Sequence, residues 1–182
     1  MPSPVKLEGH GEEHGALMTW MGNYRWQTPG VRFGDNTSIQ LDLDNEPQPD
    51  GLLLIDPKKG GRAKISDKGY IIGGPELVAE VSATSASYDL NVKLNVYRRS
   101  GVQEYIVWRV RDKEVDWFAL RQARFERLHL SPAGFFQSEV MPGLWLDPAA
   151  LIGGDYLRLN QVLQQGLTSP EHSALVARLK QS

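Results

Sequence analysis

The sequence contains no cysteine among its 182 residues. Disulfide bonds, zinc-thiolate sites and thiol nucleophiles are therefore excluded. No apolar run approaches the roughly 20 residues of a membrane-spanning helix, and the first residues lack the cationic and apolar segments of a signal peptide. We therefore expect a cytoplasmic protein that has no membrane partner.

The charge balance lacks a strong excess of either sign. There are 20 lysines and arginines against 22 acidic residues, which gives a formal net charge of −2. This balance argues against a protein that coats nucleic acid non-specifically, because such a protein needs a basic excess. Hydrophobic residues make up 41% of the chain, which is enough for a substantial core. We expect a single domain over residues 1–182, with residues 1–11 flexible and helices in residues 152–182.

The spacing of apolar and turn residues predicts an α/β fold in which helices flank a central mixed β-sheet. The sheet is expected to contain the strands of Ser38, Asp50, Leu77 and Glu104, with a peripheral antiparallel hairpin layer beside it. Predicted helices run from Glu12 or His14 to Tyr24, from Asp89 to Ser100, from Tyr156 to Gly166 and from Pro170 to Gln181. One predicted hairpin pairs Val31–Phe33 with Ser38–Leu41, and a second turns at Ser66–Gly69. Further predicted strands are Asp50–Ile55, Leu77–Ser82, Val102–Val110, Glu114–Leu120, Phe125–Leu130 and Phe136–Val140.

A glutamate lies inside the apolar strand "LVAEVS" at residues 77–82. On an extended strand Glu80 shares one face with Val78 and Ser82. Burial of an unpaired carboxylate costs several kcal/mol, so Glu80 must face a cleft at a strand end or lie against a cation. Asp50 has a similar position at the head of another apolar run. An arginine-paired Glu80 and a turn role for Asp50 are the structural alternatives.

The helix after this strand supplies a cation. Leu90, Lys93, Leu94 and Tyr97 fall at i, i+3, i+4 and i+7, which puts Lys93 within the apolar stripe of the helix. It should therefore point inward and could reach both carboxylates, unless it extends to solvent from the helix edge. Two carboxylates suit a hard cation such as Mg²⁺ or Mn²⁺, and a lysine could orient the attacking water and stabilise a phosphate.

Four blocks of the sequence resemble a known family. They are "PDGLLLI", "GPELVAEVSATS", "DLNVKLNVYRRSGVQEYIVW" and "MPGLWLD", and together they are similar to the Uma2 (DUF820) family over roughly His14 to Leu151. The family has the restriction-endonuclease-like fold of the PD-(D/E)XK nuclease superfamily. The resemblance implies a Mg²⁺-dependent phosphodiesterase that acts on DNA.

The same resemblance implies roles for individual residues. Asp50 matches the motif aspartate, Glu80 the motif glutamate, and Lys93 the lysine that has moved from the strand to the following helix. The implied metal ligands are Asp50, Glu80 and Val81. Ser82 stands where the superfamily usually has lysine, and this departure, with the acidic balance of the chain, favours an alternative: a nuclease-fold binding or assembly module without catalysis.

The segment "HGEEH" from His10 to His14 matches the zinc-peptidase pattern H-x-x-E-H. The glycines around it disfavour a rigid helix, so a zinc-dependent hydrolase is a less favoured alternative. In the nuclease interpretation, Glu12 or Glu13 could be the extra acidic residue that related nucleases place on the first helix. Otherwise both complement the positive end of that helix.

Two further groups of residues could contribute to binding. A Gly-rich and Lys-rich segment follows the Asp50 strand, and we expect it to stand near the metal site, where it either contacts phosphate groups or is merely solvated. Its candidate phosphate contacts are Lys58, Lys59, Arg62 and Lys64. The aromatic residues Tyr105, Trp108, Trp117 and Phe118 are expected to form core or a homodimer face.

Overall fold

A computed structural model describes residue 7 and residues 11–41, 46–83 and 89–181. Helix α1 spans Glu12–Gln27, and strands β1 to β6 span Val31–Asp35, Ile39–Gln40, Gly51–Ile55, Lys64–Ile65, Ile71–Ile72 and Leu77–Ser82. A wide π-helical turn at Asp89–Lys93 leads into α2, Leu94–Arg99. Strands β7 to β11 span Glu104–Arg109, Glu114–Arg121, Arg124–Arg127, Phe136–Gln137 and Trp145–Leu146, followed by α3 (Pro148–Gly153), α4 (Tyr156–Leu167) and α5 (Pro170–Gln181).

A six-stranded sheet with the order β1-β3-β6-β7-β8-β9 forms the centre of the fold. The β6–β7 pair is parallel and the other neighbours are antiparallel, so the sheet is mixed. The parallel pair requires a crossover connection, and α2 lies in that crossover. The predicted α/β class with a central mixed sheet is confirmed.

Each face of the sheet has its own apolar core. On one face, α1 and the C-terminal helices pack on side chains that include Leu53, Ala79 and Ile106. On the other, the strands β2 and β5 and helix α2 cover side chains that include Leu52, Val78 and Tyr105. Successive residues of β6 alternate between these two cores, as the strand periodicity predicts.

The strand of Ser38 does not join the central sheet. β1 pairs with β3, with Val31 opposite Ile55, whereas β2 pairs in parallel with β5 in a separate three-stranded sheet, β2-β5-β4. The predicted hairpin between the first two strands is therefore wrong. All five residues of β3 are buried, so β3 needs a partner on each side, and β1 and β6 supply them.

Other local predictions have mixed outcomes. The hairpin at Ser66–Gly69 is confirmed, because β4 and β5 pair across it. The segments Phe125–Leu130 and Phe136–Val140 both contain strands, but β9 extends the central sheet and β10 pairs with β11. Helix α3 was missed, although Asp147 accepts a hydrogen bond from the Ala150 N–H as a helix cap. No helix in the described part of the chain is long and apolar enough to cross a membrane.

Candidate active site

Asp50, the residue before β3, lies beside Glu80 of the neighbouring strand β6. The β3–β6 register places Gly51 opposite Ala79, so Asp50, one residue earlier, falls opposite Glu80, one residue later. Directly opposed residues of an antiparallel pair have Cβ atoms about 5 Å apart. The Val81 N–H donates a hydrogen bond of 2.6 Å to Asp50 Oδ2, which holds the aspartate against the backbone of the glutamate strand.

Lys93 joins the glutamate to a second acid. Its Nζ lies 2.8 Å from Glu80 Oε2 and 3.1 Å from Asp89 Oδ1. The two acidic side chains are only 5% and 2% exposed, whereas the lysine side chain is 25% exposed. The π-helical turn at Asp89–Lys93 positions this lysine, and such turns are frequent at functional sites. The lysine therefore lies where the buried acids meet solvent.

Two buried tyrosines complete the wall of the site. The Tyr97 hydroxyl donates a hydrogen bond of 2.9 Å to Glu80 Oε1, and the Tyr105 hydroxyl donates one of 3.2 Å to the Asp89 backbone oxygen. Both tyrosines are fully buried, and burial raises the pKa of each phenol well above its usual value. The hydroxyl groups therefore remain protonated donors.

The electrostatics of the cluster depend on the balance between burial and charge. Burial raises the pKa of Glu80 to about 7, although Lys93 opposes the shift and the charge of Asp50 adds to it. Burial also acts against the ammonium of Lys93, but Glu80 and Asp89 outweigh it, so the lysine pKa is raised. Lys93 is thus a charged ammonium that offsets part of the cost of burying Glu80.

The donor set fits a divalent cation of the Mg²⁺ type. Mg²⁺ commonly takes one or two carboxylates from the protein and completes its shell with water and substrate phosphate. Asp50 and Glu80 supply this number. Burial, with a smaller contribution from the charge of Asp50, raises the pKa of Glu80, and a bound cation would offset both effects. Among the described residues, no group of three or more histidine, cysteine or acidic side chains could hold a metal ion. The side chain of Val81 is apolar, so that residue could bind only through its backbone oxygen.

Comparisons with known proteins show the family of the chain and a similar fold. The model of the Uma2 family, described as "putative restriction endonuclease", matches residues 1–149. The chain belongs to the Uma2 family. A crystal structure of a "putative nuclease belonging to DUF820" from Anabaena variabilis has a similar fold, with a TM-score of 0.64, 14% sequence identity, and coverage of 84% of this chain and 85% of that one. No curated protein matches the sequence.

Asp89, Tyr97 and Tyr105 of this Uma2 protein were not identified as site residues from the sequence. The sequence indicates Asp89 only as a helix start, and Tyr105 as core or part of a homodimer face. One signal was available, because Asp89 precedes Lys93 by four residues, a spacing that brings side chains together on a helix. The aromatic residues at 105, 108, 117 and 118 are all buried, so they belong to the core in this chain.

The two candidate accessory acids in the first turn of α1 have different surroundings in this Uma2 protein. Glu12 is exposed and lines a groove between α1 and α4. Glu13 Oε2 is buried and has no hydrogen-bond partner among the described residues. His14, the next residue, lies 3.2 Å from Asp35 Oδ1, and the Asn36 N–H donates to the Asp50 backbone oxygen. These contacts link the first turn of α1 to the Asp50 segment. An accessory role for Glu12 or Glu13 stays a prediction.

The basic segment lies at the opposite end of β3 from Asp50. Lys58 and Lys59 follow Ile55 in a short 3₁₀ turn, and the Arg62 N–H donates to Glu76 Oε1. Five strand residues at about 3.3 Å each separate this end from the site. The expectation that the segment stands beside the metal site is therefore wrong for Lys58, Lys59 and Arg62, because β3 carries the chain away from it. Phosphate contact by Lys58, Lys59, Arg62 and Lys64 stays a prediction.

Two other buried glutamates show what a structural acid looks like in this fold. Glu76 accepts the backbone N–H groups of Ile55 and Arg62. Glu104 accepts hydrogen bonds from the Trp117 side chain, the Ser138 hydroxyl and two backbone N–H groups. Both carboxylates tie loops to the sheet. Glu80 differs, since its partners are a cation and a tyrosine next to a second acid.

The zinc pattern is only partly visible, since His10 lies outside the described residues. His14 Nε2 lies near Asp35 Oδ1 and 3.3 Å from Asn36 Nδ2. These contacts are with β1 and the residue after it. The zinc-hydrolase alternative stays a prediction.

Proposed function

We propose that this Uma2 protein is a Mg²⁺-dependent endonuclease that cleaves DNA, with Asp50 and Glu80 as metal ligands and Lys93 as the residue that assists the attacking water. The observation that carries the proposal is the 2.8 Å approach of Lys93 Nζ to Glu80 Oε2, opposite Asp50 on the neighbouring strand. The family description supports a nuclease in general. The metal and the DNA substrate belong to the proposal.

Each residue has a distinct task in this proposal. Asp50, held through one oxygen by the Val81 N–H, presents its other oxygen to the cation. Glu80 binds in its ionised form, and Tyr97 fixes the orientation of its carboxylate through a hydrogen bond. Mg²⁺ bound there would lower the pKa of water and stabilise negative charge on the phosphate. Lys93, as a charged ammonium, would orient the water and contact a non-bridging phosphate oxygen.

The DNA contacts would extend beyond the metal site. Lys58, Arg62 and Lys64 are exposed, and each could neutralise a DNA phosphate. Lys58 and Arg62 would do so at the far end of β3, away from the bond that is cleaved. Such contacts would add salt-dependent affinity without sequence preference.

A second copy of the chain is a further proposed partner, and sedimentation of the purified protein tests it.

Plasmid cleavage tests the proposed activity. We expect wild-type protein with Mg²⁺ to nick or linearise supercoiled DNA. The cleavage rates of Glu80→Gln and Lys93→Met should be at least about 100-fold lower, which is the range of general acid–base contributions. Lys180→Met, an exposed lysine of α5, is the matched control and should cleave like wild type. Circular dichroism verifies that each variant is folded. Cleavage by Lys93→Met at the wild-type rate would contradict the proposed role of this lysine.

The second candidate function is a nuclease-fold module that binds DNA without cleaving it. The observation that favours it is Ser82, which is buried in the strand position where the superfamily usually has lysine. A binding measurement separates the two candidates. Wild-type protein that binds DNA equally with Mg²⁺ and with a chelator, and cleaves none of it, would favour the module over the nuclease.

A further inference from the structure

We propose that Asp89 is a positioning residue that takes over the Lys93 ammonium when a divalent cation binds Glu80. The inference rests on the proposed function, because it concerns the same metal site. It assigns Asp89 no contact with metal or substrate. Its role is to hold Lys93 near the site while Glu80 changes its partner from lysine to cation.

The geometry supports this exchange. Lys93 Nζ lies within 3.1 Å of Asp89 Oδ1 and 2.8 Å of Glu80 Oε2, so one ammonium is shared between two acids on different elements. The Asp89 side chain is 2% exposed, and its backbone oxygen accepts the Tyr105 hydroxyl. Asp89 is therefore fixed against the sheet, whereas the lysine side chain is partly exposed and can move.

Charge balance gives the exchange its direction. A cation that binds Glu80 must displace the lysine from at least part of that carboxylate, because both are positive and close. Without Asp89, the displaced ammonium would lose its other acidic partner among the described residues, and breaking a buried pair leaves an uncompensated charge. With Asp89 present, Lys93 keeps a partner within its present reach. Asp89 should therefore favour metal binding without being a ligand.

The alternative is a direct effect of Asp89, either as a remote negative charge that attracts the cation or as a plain stabiliser of the first turn of the helix. The two explanations differ in their dependence on Lys93. If Asp89 acts by receiving the lysine, its removal has no effect once the lysine is gone. If it acts directly, its removal weakens metal binding in either background.

A double-mutant cycle on metal affinity makes this distinction. Mn²⁺ alone is titrated by calorimetry into wild type, Asp89→Asn, Lys93→Met and the double variant, all as full-length protein. We expect Lys93→Met to bind roughly tenfold more tightly than wild type, because a competing charge has been removed. We expect Asp89→Asn to bind roughly tenfold more weakly, and the double variant to match Lys93→Met.

The outcomes separate this inference from the proposed function. The inference is overturned if Asp89→Asn weakens Mn²⁺ binding by the same factor in wild type and in Lys93→Met. That result would show that Asp89 acts directly. Equal affinity of Asp89→Asn and wild type would also overturn it, with the metal site intact. If neither wild type nor Lys93→Met binds Mn²⁺, the metal site itself fails. If Asp89→Asn prevents folding, Asp89→Ala replaces it both alone and in the Lys93→Met background, and the same comparisons decide.

Discussion

The Tyr97 hydroxyl donates a hydrogen bond of 2.9 Å to Glu80 Oε1, while Lys93 contacts Oε2 of the same carboxylate. Both oxygens of this buried glutamate are thus engaged by the helical segment that follows its strand. The segment holds the side chain in one orientation, with Asp50 on the neighbouring strand. Glu80 is therefore pre-oriented before any ligand arrives, at the cost of burying its charge.

The tyrosine contact predicts a measurable loss of stability. Replacing Tyr97 with Phe removes a hydrogen bond to a charged group and leaves a buried carboxylate oxygen with one donor fewer, which costs about 2 kcal/mol. Tyr70→Phe is the matched control, because Tyr70 is 44% exposed, and it should change stability by less than about 0.5 kcal/mol. Urea unfolding of both variants measures the difference. Equal stability of the two variants would show that the Tyr97 hydrogen bond contributes nothing.

The raised pKa of Glu80 predicts a pH dependence of stability in metal-free protein. The pKa is about 7 in the fold against an ordinary value of 4.5, so between these values the folded state holds a proton that the unfolded state has released. Stability from this group is therefore complete below pH 4.5 and is lost as pH rises through about 7. Glu80→Gln has no such proton to lose.

Urea unfolding in the presence of a chelator, at about pH 5 and about pH 8, tests this sign. We expect the loss of unfolding free energy over that interval to be smaller in Glu80→Gln than in wild type. Part of the wild-type slope should remain in the variant, because burial also raises the pKa of Glu104 to about 7. Glu171→Gln, an exposed acid of α5, should keep the wild-type slope. A variant Glu80→Gln with the full wild-type slope would contradict the prediction.

Replacement by alanine should have opposite effects on stability at two of the glycines. A Cβ atom at Gly22 in α1 would meet no atom within 4 Å, so Gly22→Ala should stabilise the helix by about 1 kcal/mol. A Cβ atom at Gly61 would lie 1.9 Å from the Ile55 backbone oxygen, so Gly61→Ala should destabilise the fold. Thermal melts of the two variants compare them. A lower melting temperature for Gly22→Ala than for wild type would contradict the packing of α1.

Local periodicity was enough to predict several parts of the site. The alternation along β6 placed Glu80 on the face of Val78, and that is the face on which both lie. The spacing around Lys93 indicated that it points inward, and Lys93 does contact the Glu80 carboxylate. These features depend on neighbours in sequence, and sequence patterns report them directly.

Features that depend on pairing between distant segments were harder to predict. The alternation at Ser38–Leu41 indicated a strand but could not choose between β1 and β5 as its partner. The position of the basic segment depended on the direction of β3, which carries Lys58 away from Asp50. The four-residue spacing of Asp89 and Lys93 indicated their contact, but it could not show that Glu80, on a separate strand, shares the same ammonium.

The central claim is that Asp50 and Glu80 together hold one divalent cation. Calorimetric titration of Mn²⁺ into wild type and Asp50→Asn tests it most directly, because the substitution keeps an oxygen that can accept the Val81 N–H and removes only the charge. We predict one ion per chain for the wild type and binding weakened at least tenfold in the variant, in line with the loss of one of two charged ligands. Equal affinity and stoichiometry in the two proteins would contradict the claim.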